Sequence, residues 1–208
     1  MSDSLAGKVV IVTGGGTGIG EAICLKVARE GARVVVNGLP GDPIEDVVAA
    51  IERDGGEATA FEGDVSIEEL ALACIDTALA QYGQLDVLIN NAGVLLVASE
   101  TDDMPVDRFD EHLRCNVRSA FLMTKYALPH LRRTHGNIIS AGSAAGVNGQ
   151  PGNTTTAARR ASCTPSRRAS RSSRRATACA PTACAPARST PRGRTRRPGR
   201  WMPRSRRG

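Results

Sequence analysis

The stretch Thr13–Gly20, with the sequence TGGGTGIG, decides the fold. It follows the apolar run Val9–Val12 and opens a helical pattern. A strand, a glycine-rich turn and a helix in this order are the setting of a dinucleotide-binding loop. Gly14 suits the tight turn, Gly18 lets backbone approach a pyrophosphate, and Gly20 permits close packing of helix and strand. The alternative for a glycine-rich string alone is an ordinary turn between strand and helix.

Apolar runs alternate with helical patterns along the chain, which predicts a doubly wound parallel sheet with right-handed crossovers. The predicted strands are Lys8–Thr13, Arg33–Asn37, Ala58–Phe61, Leu85–Ile89 and a fifth that begins over Asn137–Ser140. The predicted helices are Gly18–Glu30, Ile44–Arg53, one from Ser66 to about Tyr82, and a long one over Pro105–Arg132. The fold class is therefore α/β, with a Rossmann-like sheet that can be followed through five strands.

Three local patterns sharpen these predictions. Gly31 predicts the end of the first helix, because glycine readily adopts the left-handed conformation that ends helices. Apolar spacing predicts the buried face of that helix as Ile19, Ala22, Ile23 and Val27. Ser66 and Glu69 predict a capping box at the start of the third helix.

Cysteine usage and the amino-terminal residues bear on the compartment. The six cysteines include no Cys-x-x-Cys pair, and three of them fall in helical patterns where we expect small core residues: Cys24, Cys74 and Cys115. The first residues lack a basic region, and the apolar run after them is far too short for a signal peptide or a membrane span. These observations predict a cytoplasmic protein with no membrane partner and no metal site.

Charge and composition change sharply after Asn153. All 21 acidic residues come before residue 154, whereas 16 of the 27 basic residues, all of them arginine, come after Asn153. Residues 154–208 also lack Val, Ile, Leu, Phe and Tyr. A segment with so little to bury cannot offset the entropy lost on ordering. We therefore expect a dinucleotide-binding domain over residues 1–153 and a disordered basic tail over residues 154–208.

The arginine-rich tail raises nucleic-acid binding as an alternative function. Trp201 is the one aromatic residue in this segment, so no stacking residues are interleaved with the arginines and phosphate attraction alone remains. A protein of that class would lose binding as salt rises and would show no sequence preference. The composition argues against nucleic acid as the partner.

Further motifs follow the third and fourth predicted strands. Asp64-Val65 comes after the third strand, and Asn90-Asn91-Ala92-Gly93 ends the fourth. With the Thr-Gly-x-x-x-Gly-x-Gly spacing of the loop, these motifs resemble those of the short-chain dehydrogenase/reductase family. The resemblance implies that the Asp64 carboxylate faces adenine and that Asn90 braces the sheet. It implies cofactor contacts at Gly14, Thr17, Gly18, Ile19, Gly20, Asp64, Val65, Asn91, Ala92 and Gly93.

The resemblance also implies two catalytic residues. Asn116 matches the family's asparagine that holds a water in the proton relay, whereas the alternative is a helix-distorting amide bonded to backbone. Ser143 matches the serine that hydrogen-bonds the substrate oxygen, and Ser140 is the competing candidate. The implied reaction is hydride transfer between a nicotinamide cofactor and a small secondary alcohol or its ketone.

The implied cofactor is NAD or NADP, and the end of the second strand bears on the choice. Gly38 stands where an acidic residue commonly holds the adenosine ribose of NAD. Thr17 stands where NADP-preferring relatives often have a basic residue. Residues 34–52 contain no Lys or Arg, so a 2′-phosphate would be poorly compensated and NAD is favoured. Asp42 is a candidate for binding the ribose, with an ordinary solvated turn residue as the alternative.

The resemblance fails at two catalytic positions. Thr156 and Arg160 stand where the family has Tyr-x-x-x-Lys. A threonine hydroxyl has no accessible pKa near neutrality, so it cannot replace a phenol as acid and base. Arginine keeps the charge of lysine but not its hydrogen-bonding geometry. The chain as written is therefore expected to be inactive.

The tail itself can be interpreted as a frameshift from about residue 154. In the neighbouring codon frame, the codons of Thr156, Arg159 and Arg160 can give Tyr, Ser and Lys at the family's spacing. The alternative is a genuine arginine-rich tail. A non-catalytic dinucleotide-binding remnant is the competing functional class, and the family's usual homo-oligomer is not expected of such a chain.

Overall fold

The computed structural model describes residues 4–94 and 103–143. The strands in this part of the chain are β1 (Val9–Val12), β2 (Arg33–Gly38), β3 (Glu57–Glu62), β4 (Val87–Asn90) and β5 (Asn137–Ser140). The helices are α1 (Gly18–Arg29), α2 (Ile44–Arg53), α3 (Glu68–Tyr82), α4 (Val106–Leu113) and α5 (Ser119–Thr134), with a π-helical segment, Arg114–Arg118, between the last two. The strands form one parallel sheet in the order β3-β2-β1-β4-β5.

The direction in which the sheet grows reverses between β1 and β4. The chain builds outward from β1 through β2 to β3, and then returns to the other side of β1 with β4 and β5. Open parallel sheets bind ligands at the carboxyl ends of the strands beside such a reversal. The predicted α/β Rossmann-like fold is confirmed. The reversal predicts a ligand site at the carboxyl ends of β1 and β4.

Both faces of the sheet are covered, as a parallel sheet requires. The four residues of β1 have no exposed surface. Val9 and Ile11 belong to a core cluster with residues of α3 and α5, whereas Val10 and Val12 belong to a second cluster with residues of α1 and α2. The unbroken apolar run in β1 therefore follows from its central position between two helix layers.

The buried face of α1 differs from the predicted one. Its buried residues are small: Gly20, Cys24 and Ala28. Ile19 is 74% exposed and Ala22 is also exposed, while Ile23 and Val27 are half-buried. The helix lies so close to the loop before it that a Cβ on residue 20 would overlap the carbonyl oxygen of Gly14. The predicted buried face is therefore partly wrong. Close packing, more than hydrophobicity, selects the residues on this face.

The end of α1 agrees with the prediction. Gly31 has a φ of +89°, and its N–H donates to the Ala28 oxygen at 2.9 Å while the Ala32 N–H donates to the Val27 oxygen at 3.1 Å. These two bonds form a Schellman motif, which satisfies carbonyl groups that the last turn of a helix leaves free.

The capping box predicted at the start of α3 is wrong. Ile67 is the N-cap of this helix and makes no side-chain cap bond. The Ser66 hydroxyl instead accepts a hydrogen bond from Arg114, and the Ser66 carbonyl accepts one from Arg118 Nε at 2.9 Å. Arg114 thus takes the hydroxyl that the capping box would have used, and the Ser66 N–H, the other group of that motif, donates to Asp64 Oδ1 at 2.9 Å.

The long predicted helix over Pro105–Arg132 is interrupted. The π-helical segment Arg114–Arg118 separates α4 from α5 and buries Asn116. Cys115 is only half-buried, so the prediction that it is a core residue is wrong. The π-helical turn instead buries the next residue, Asn116. Cys24 and Cys74 are buried as predicted, and burial raises the pKa of each thiol to about 12.

No helix within residues 4–94 and 103–143 is both long enough and apolar enough to cross a membrane.

A buried carboxylate ties the amino ends of β1 and β4 together. Asp86 accepts hydrogen bonds from Lys8 Nζ at 2.8 Å, Val9 N at 3.0 Å and Gln84 Nε2 at 2.7 Å. Burial acts to raise the pKa of Asp86, but these hydrogen bonds outweigh it and hold the pKa below its ordinary value. The carboxylate therefore contributes stability only while it is ionised.

We predict that Asp86→Asn lowers the free energy of unfolding at pH 7 by about 1–3 kcal/mol, because an amide NH₂ would face one of the three donors. Since the folded pKa is depressed, the contribution of Asp86 is present above the unfolded carboxyl pKa of about 3.9 and is lost as the pH falls through the folded value. Urea unfolding of both proteins should show curves that converge on acidification.

The matched control is Asp76→Asn, at an exposed position of α3. It should change the free energy of unfolding by less than about 0.5 kcal/mol at either pH. A difference between Asp86→Asn and the unchanged chain that stays constant with pH would show that the charge of Asp86 is not involved.

Candidate dinucleotide site

The hydroxyl of Thr13 joins the carboxyl ends of β1 and β4. Its Oγ1 accepts hydrogen bonds from Asn91 N at 3.1 Å and Ala92 N at 3.0 Å, and lies 3.4 Å from the Ile89 oxygen, to which it donates. Thr13 is buried. One side chain thus satisfies two backbone N–H groups at the point where the chain leaves β4. The first residues of the Asn90-Asn91-Ala92-Gly93 motif are held against the start of the glycine-rich loop.

The Asn91 side chain completes this connection. Its Nδ2 donates to the carbonyl oxygens of Thr13 at 3.0 Å and Gly14 at 3.1 Å. Gly14 has a φ of +62°, and a Cβ at that residue would lie 3.0 Å from the Ala92 Cα. A Cβ on Gly20 would come within 2.7 Å of Asn91 Nδ2. Glycine is thus required at both positions by close approach, and at Gly14 also by conformation.

The outer part of the loop is open to solvent. Thr17, Gly18 and Ile19 are all exposed, and Gly18 has a φ of +57° with nothing within 4 Å of a Cβ added there. Thr17 is the N-cap of α1 but makes no side-chain cap bond. The first N–H groups of α1 therefore have no side-chain cap, which is the arrangement that receives anions at helix N-termini.

The ends of β2 and β3 are joined to the loop through Asn37, which sequence reasoning missed as a site residue. Its carbonyl accepts from Gly15 N at 2.7 Å, and its Nδ2 donates to the Gly63 oxygen at 2.9 Å and the Phe61 oxygen at 3.2 Å. A buried polar residue that ends an apolar strand was the available signal. Asn37 therefore supports the glycine-rich loop through its bond to Gly15. Gly38, the last residue of β2, follows it directly.

Asp64 is engaged by groups of the chain itself. Its Oδ1 accepts from Ser66 N at 2.9 Å, and its Oδ2 is paired with Arg114. Burial acts to raise the pKa of Asp64, but the hydrogen bonds from Ser66 and Arg114 outweigh it and lower the pKa. Val65, the next residue, packs into the core on the side of α3 and α5. The structure thus gives Asp64 a structural role in addition to any contact with adenine.

Asn116 holds the backbone that follows the Asn90-Asn91-Ala92-Gly93 motif. Its Oδ1 accepts from Val94 N at 2.7 Å, and its Nδ2 donates to the Val94 oxygen at 2.9 Å. Asn90, at the end of β4, donates from Nδ2 to Thr124 Oγ1 of α5 at 3.2 Å. Both amides therefore fasten the end of β4 to the helices on one face of the sheet, and the bracing role expected of Asn90 fits this contact.

Ser143 lies near the carboxyl edge of the sheet, just after β5, which pairs with β4 on the side away from β1. Ala141 N donates to the Asn90 oxygen at 2.9 Å, which keeps the chain beside β4 one residue beyond the end of β5. Ser143 follows two residues later and is half-buried, whereas Ser140 is an exposed residue of β5. Thr156, Arg160 and the whole predicted tail lie outside the described residues.

The amino-acid sequence of the chain is similar to those of known proteins. The family model for short chain dehydrogenases matches residues 8–172. The chain belongs to the short-chain dehydrogenase family. The predicted resemblance is thereby confirmed, and the match continues past residue 154, where the composition changes.

Curated relatives are oxidoreductases from bacteria and fungi. An uncharacterized oxidoreductase, YxbG, of Bacillus subtilis (strain 168) is 38% identical over 142 residues, which are 68% of this chain and 52% of the relative. Elsinochrome reductase 1 of Elsinoe fawcettii is 41% identical over 143 residues, covering 68% and 53%. Cyclopentanol dehydrogenase of Comamonas testosteroni is 38% identical over 146 residues, covering 70% and 58%. The matched segment thus spans a little more than half of each relative.

In this member of the family, we predict that the Thr13 hydroxyl stabilises the fold more than the Thr13 methyl group does. Thr13→Val should lower the free energy of unfolding by about 1–3 kcal/mol, because it keeps the volume but leaves the Ala92 N–H without its acceptor, whereas the Asn91 N–H keeps its bond to the Ile89 oxygen at 3.0 Å. Thr13→Ser keeps the hydroxyl and should cost about 1 kcal/mol or less. Urea unfolding of both variants measures the difference, and an equal loss in the two would assign the effect to methyl packing.

Proposed function

We propose that the chain binds a nicotinamide dinucleotide across the crevice between β1 and β4. The observation that carries this proposal is the interlocking of the glycine-rich loop with the Asn90-Asn91-Ala92-Gly93 motif through Thr13. Family membership and the placement of the crevice at the reversal of strand order support it.

The residues present fit such a cofactor. Backbone without a Cβ at Gly14 and Gly20 brings the loop against the end of β4, and the open position at Gly18 leaves space for a pyrophosphate. The uncapped first turn of α1 offers N–H groups and positive dipole charge to that anion. Asn91, Ala92 and Gly93 line the neighbouring turn, where the family holds the nicotinamide half.

NAD is the proposed cofactor in preference to NADP. Residues 34–52, which surround the end of β2, contain no Lys or Arg. The 2′-phosphate of NADP carries negative charge that proteins commonly meet with arginine or lysine. Without a cation on this segment, the adenosine ribose of NAD is the better-matched group.

The proposed reaction is hydride transfer involving a secondary alcohol or its ketone, with the nicotinamide of the bound cofactor supplying or accepting the hydride. Ser143 would hydrogen-bond the substrate oxygen. Asn116 would hold the segment after Gly93 in place and support a water of the proton relay. Thr156 and Arg160 do not supply a phenol and an ammonium, so we propose that the chain as written stops at cofactor binding.

Binding without turnover is the first prediction from this proposal. The purified 208-residue chain should bind NADH in a fluorescence titration and show no turnover on a panel of secondary alcohols and ketones, because an acid/base residue is missing. Turnover that disappears on Ser143→Ala would refute the proposed inactivity. Absence of binding to both NADH and NADPH would instead remove the proposed dinucleotide site.

Restoring the reading frame near codon 154 gives the second prediction. A corrected chain should gain solubility, cofactor binding and turnover together, because it would place a Tyr and a Lys after Ser143. Within the described residues β5 pairs with β4 alone and its Ile139 is 54% exposed, so a further strand would also cover an aggregation-prone edge. Activity, sedimentation and calorimetry with NAD measure the three gains.

The matched control is Ser143→Ala in the corrected chain. It should lose about 100-fold or more in turnover while keeping NADH binding, because one hydrogen-bond donor to the reacting oxygen is removed. A corrected chain that binds neither NAD nor NADP would contradict the function proposed here.

A non-catalytic dinucleotide-binding protein remains the second candidate function. The chain keeps the glycine-rich loop but has Thr156 and Arg160 in place of Tyr and Lys, and this combination favours binding alone for the chain as written. The two candidates separate in the corrected chain, since a protein whose function is binding alone would gain no turnover.

A further inference from the structure

We propose that Asp42 replaces the acidic residue that is missing at position 38, and that it selects NAD over NADP by accepting a hydrogen bond from the 2′-hydroxyl of the adenosine ribose. The inference rests on the proposed dinucleotide site. It assigns the specificity to a carboxylate on the loop after β2, four residues beyond the end of that strand.

The space beside Gly38 is the first observation. A Cβ at this residue would lie 2.5 Å from Ile44 Cγ2, and 3.0 Å from both the Cβ and the Oδ2 of Asp42. The Asp42 side chain thus fills the volume into which a side chain at position 38 would project. A side chain at position 38 would overlap Ile44 Cγ2 and crowd Asp42, so an acidic residue there would require both neighbours to move from their present places.

The contact of Asp42 with the glycine-rich loop is the second observation. A Cβ on Gly16 would lie 3.2 Å from the Asp42 Cβ and 3.0 Å from Ile44 Cγ2. Asp42 therefore lies over two glycines at once, one in the loop and one at the end of β2. In dinucleotide-binding folds this junction receives the adenosine ribose, about 20 residues beyond the glycine-rich loop.

A tight turn fixes the carboxylate in this position. Leu39 N donates to Asp42 Oδ2 at 2.8 Å, Asp42 N donates to the Leu39 oxygen at 3.0 Å, and Ile44 N donates to the Asp42 oxygen at 2.7 Å. The bond from Leu39 is the one side-chain hydrogen bond of Asp42 among the described residues, and Asp42 takes part in none of their ion pairs. A carboxylate accepts up to about four hydrogen bonds, so capacity for a ribose hydroxyl remains.

Charge makes this arrangement selective. A ribose hydroxyl donates to a carboxylate, and a hydrogen bond to a charged group is stronger than one between neutral groups. A 2′-phosphate at the same place would set two negative groups against each other without a compensating cation on residues 34–52. Asp42 therefore favours NAD by attraction and disfavours NADP by repulsion.

The test compares the affinities of the 208-residue chain for NADH and NADPH, by fluorescence titration, before and after Asp42→Asn. The asparagine keeps the shape of the side chain and an acceptor for Leu39 N. We expect NADH to bind about ten-fold more weakly, with NADPH binding unchanged or stronger. The control Asp46→Asn removes an equal charge from an exposed position in the first turn of α2 and should change neither affinity by more than about two-fold.

A second measurement uses the unchanged chain and needs no variant to fold. Binding of NAD is compared with binding of its analogue that lacks the 2′-hydroxyl on the adenosine ribose, and the analogue should bind about ten-fold more weakly. Equal binding of the two dinucleotides, or an NADH to NADPH ratio unaffected by Asp42→Asn, would overturn the role of Asp42 and leave the dinucleotide site standing. Failure of the unchanged chain to bind NADH or NADPH would overturn the site and this inference with it.

Discussion

The hydrogen bonds of Thr13 Oγ1 are the interaction on which the rest of the site depends. They connect two strands that are adjacent in the sheet but more than seventy residues apart in the sequence. The Ala92 N–H lies in a half-buried turn just beyond β4, and the Thr13 hydroxyl of the neighbouring β1 side is its acceptor there. A backbone bond from Thr13 N to the Ile89 oxygen at 3.0 Å also joins the two strands. The side chains of Thr13 and Asn91 continue the connection at the point where the two segments leave the sheet.

The glycines around this connection follow from the same constraint. A Cβ at Gly20 would overlap the Gly14 oxygen, and a Cβ at Gly14, where φ is also positive, would be crowded by the Ala92 Cα at 3.0 Å. Gly18 has open space beside it, although its positive φ also favours glycine. The TGGGTGIG string therefore contains glycines selected for packing and a glycine selected for conformation. The latter is the one that leaves room for a ligand.

Patterns that depend on neighbours along the chain were predictable, whereas those that depend on distant partners were not. The sheet, the order of its elements and the Gly31 helix end follow from local periodicity and backbone conformation. The small buried face of α1 does not, because it is set by the closeness of the loop. The Ser66 cap failed for a similar reason, since Arg114 and Arg118 compete for that residue from another helix. The position of Asn116 was predictable, but its π-helical setting was not.

The π-helical segment shows how these distant contacts act together. Arg114 and Arg118 fasten one side of it to the turn after β3, through Asp64 and Ser66. Asn116, between them in the sequence, fastens it to Val94 beyond β4. A regular α-helix has 3.6 residues in each turn, and the wider π-helical turn redistributes these three side chains between the two neighbouring segments. The helical irregularity is therefore the means by which the ends of β3 and β4 are held by one element, and its distortion is offset by the contacts that it makes with both.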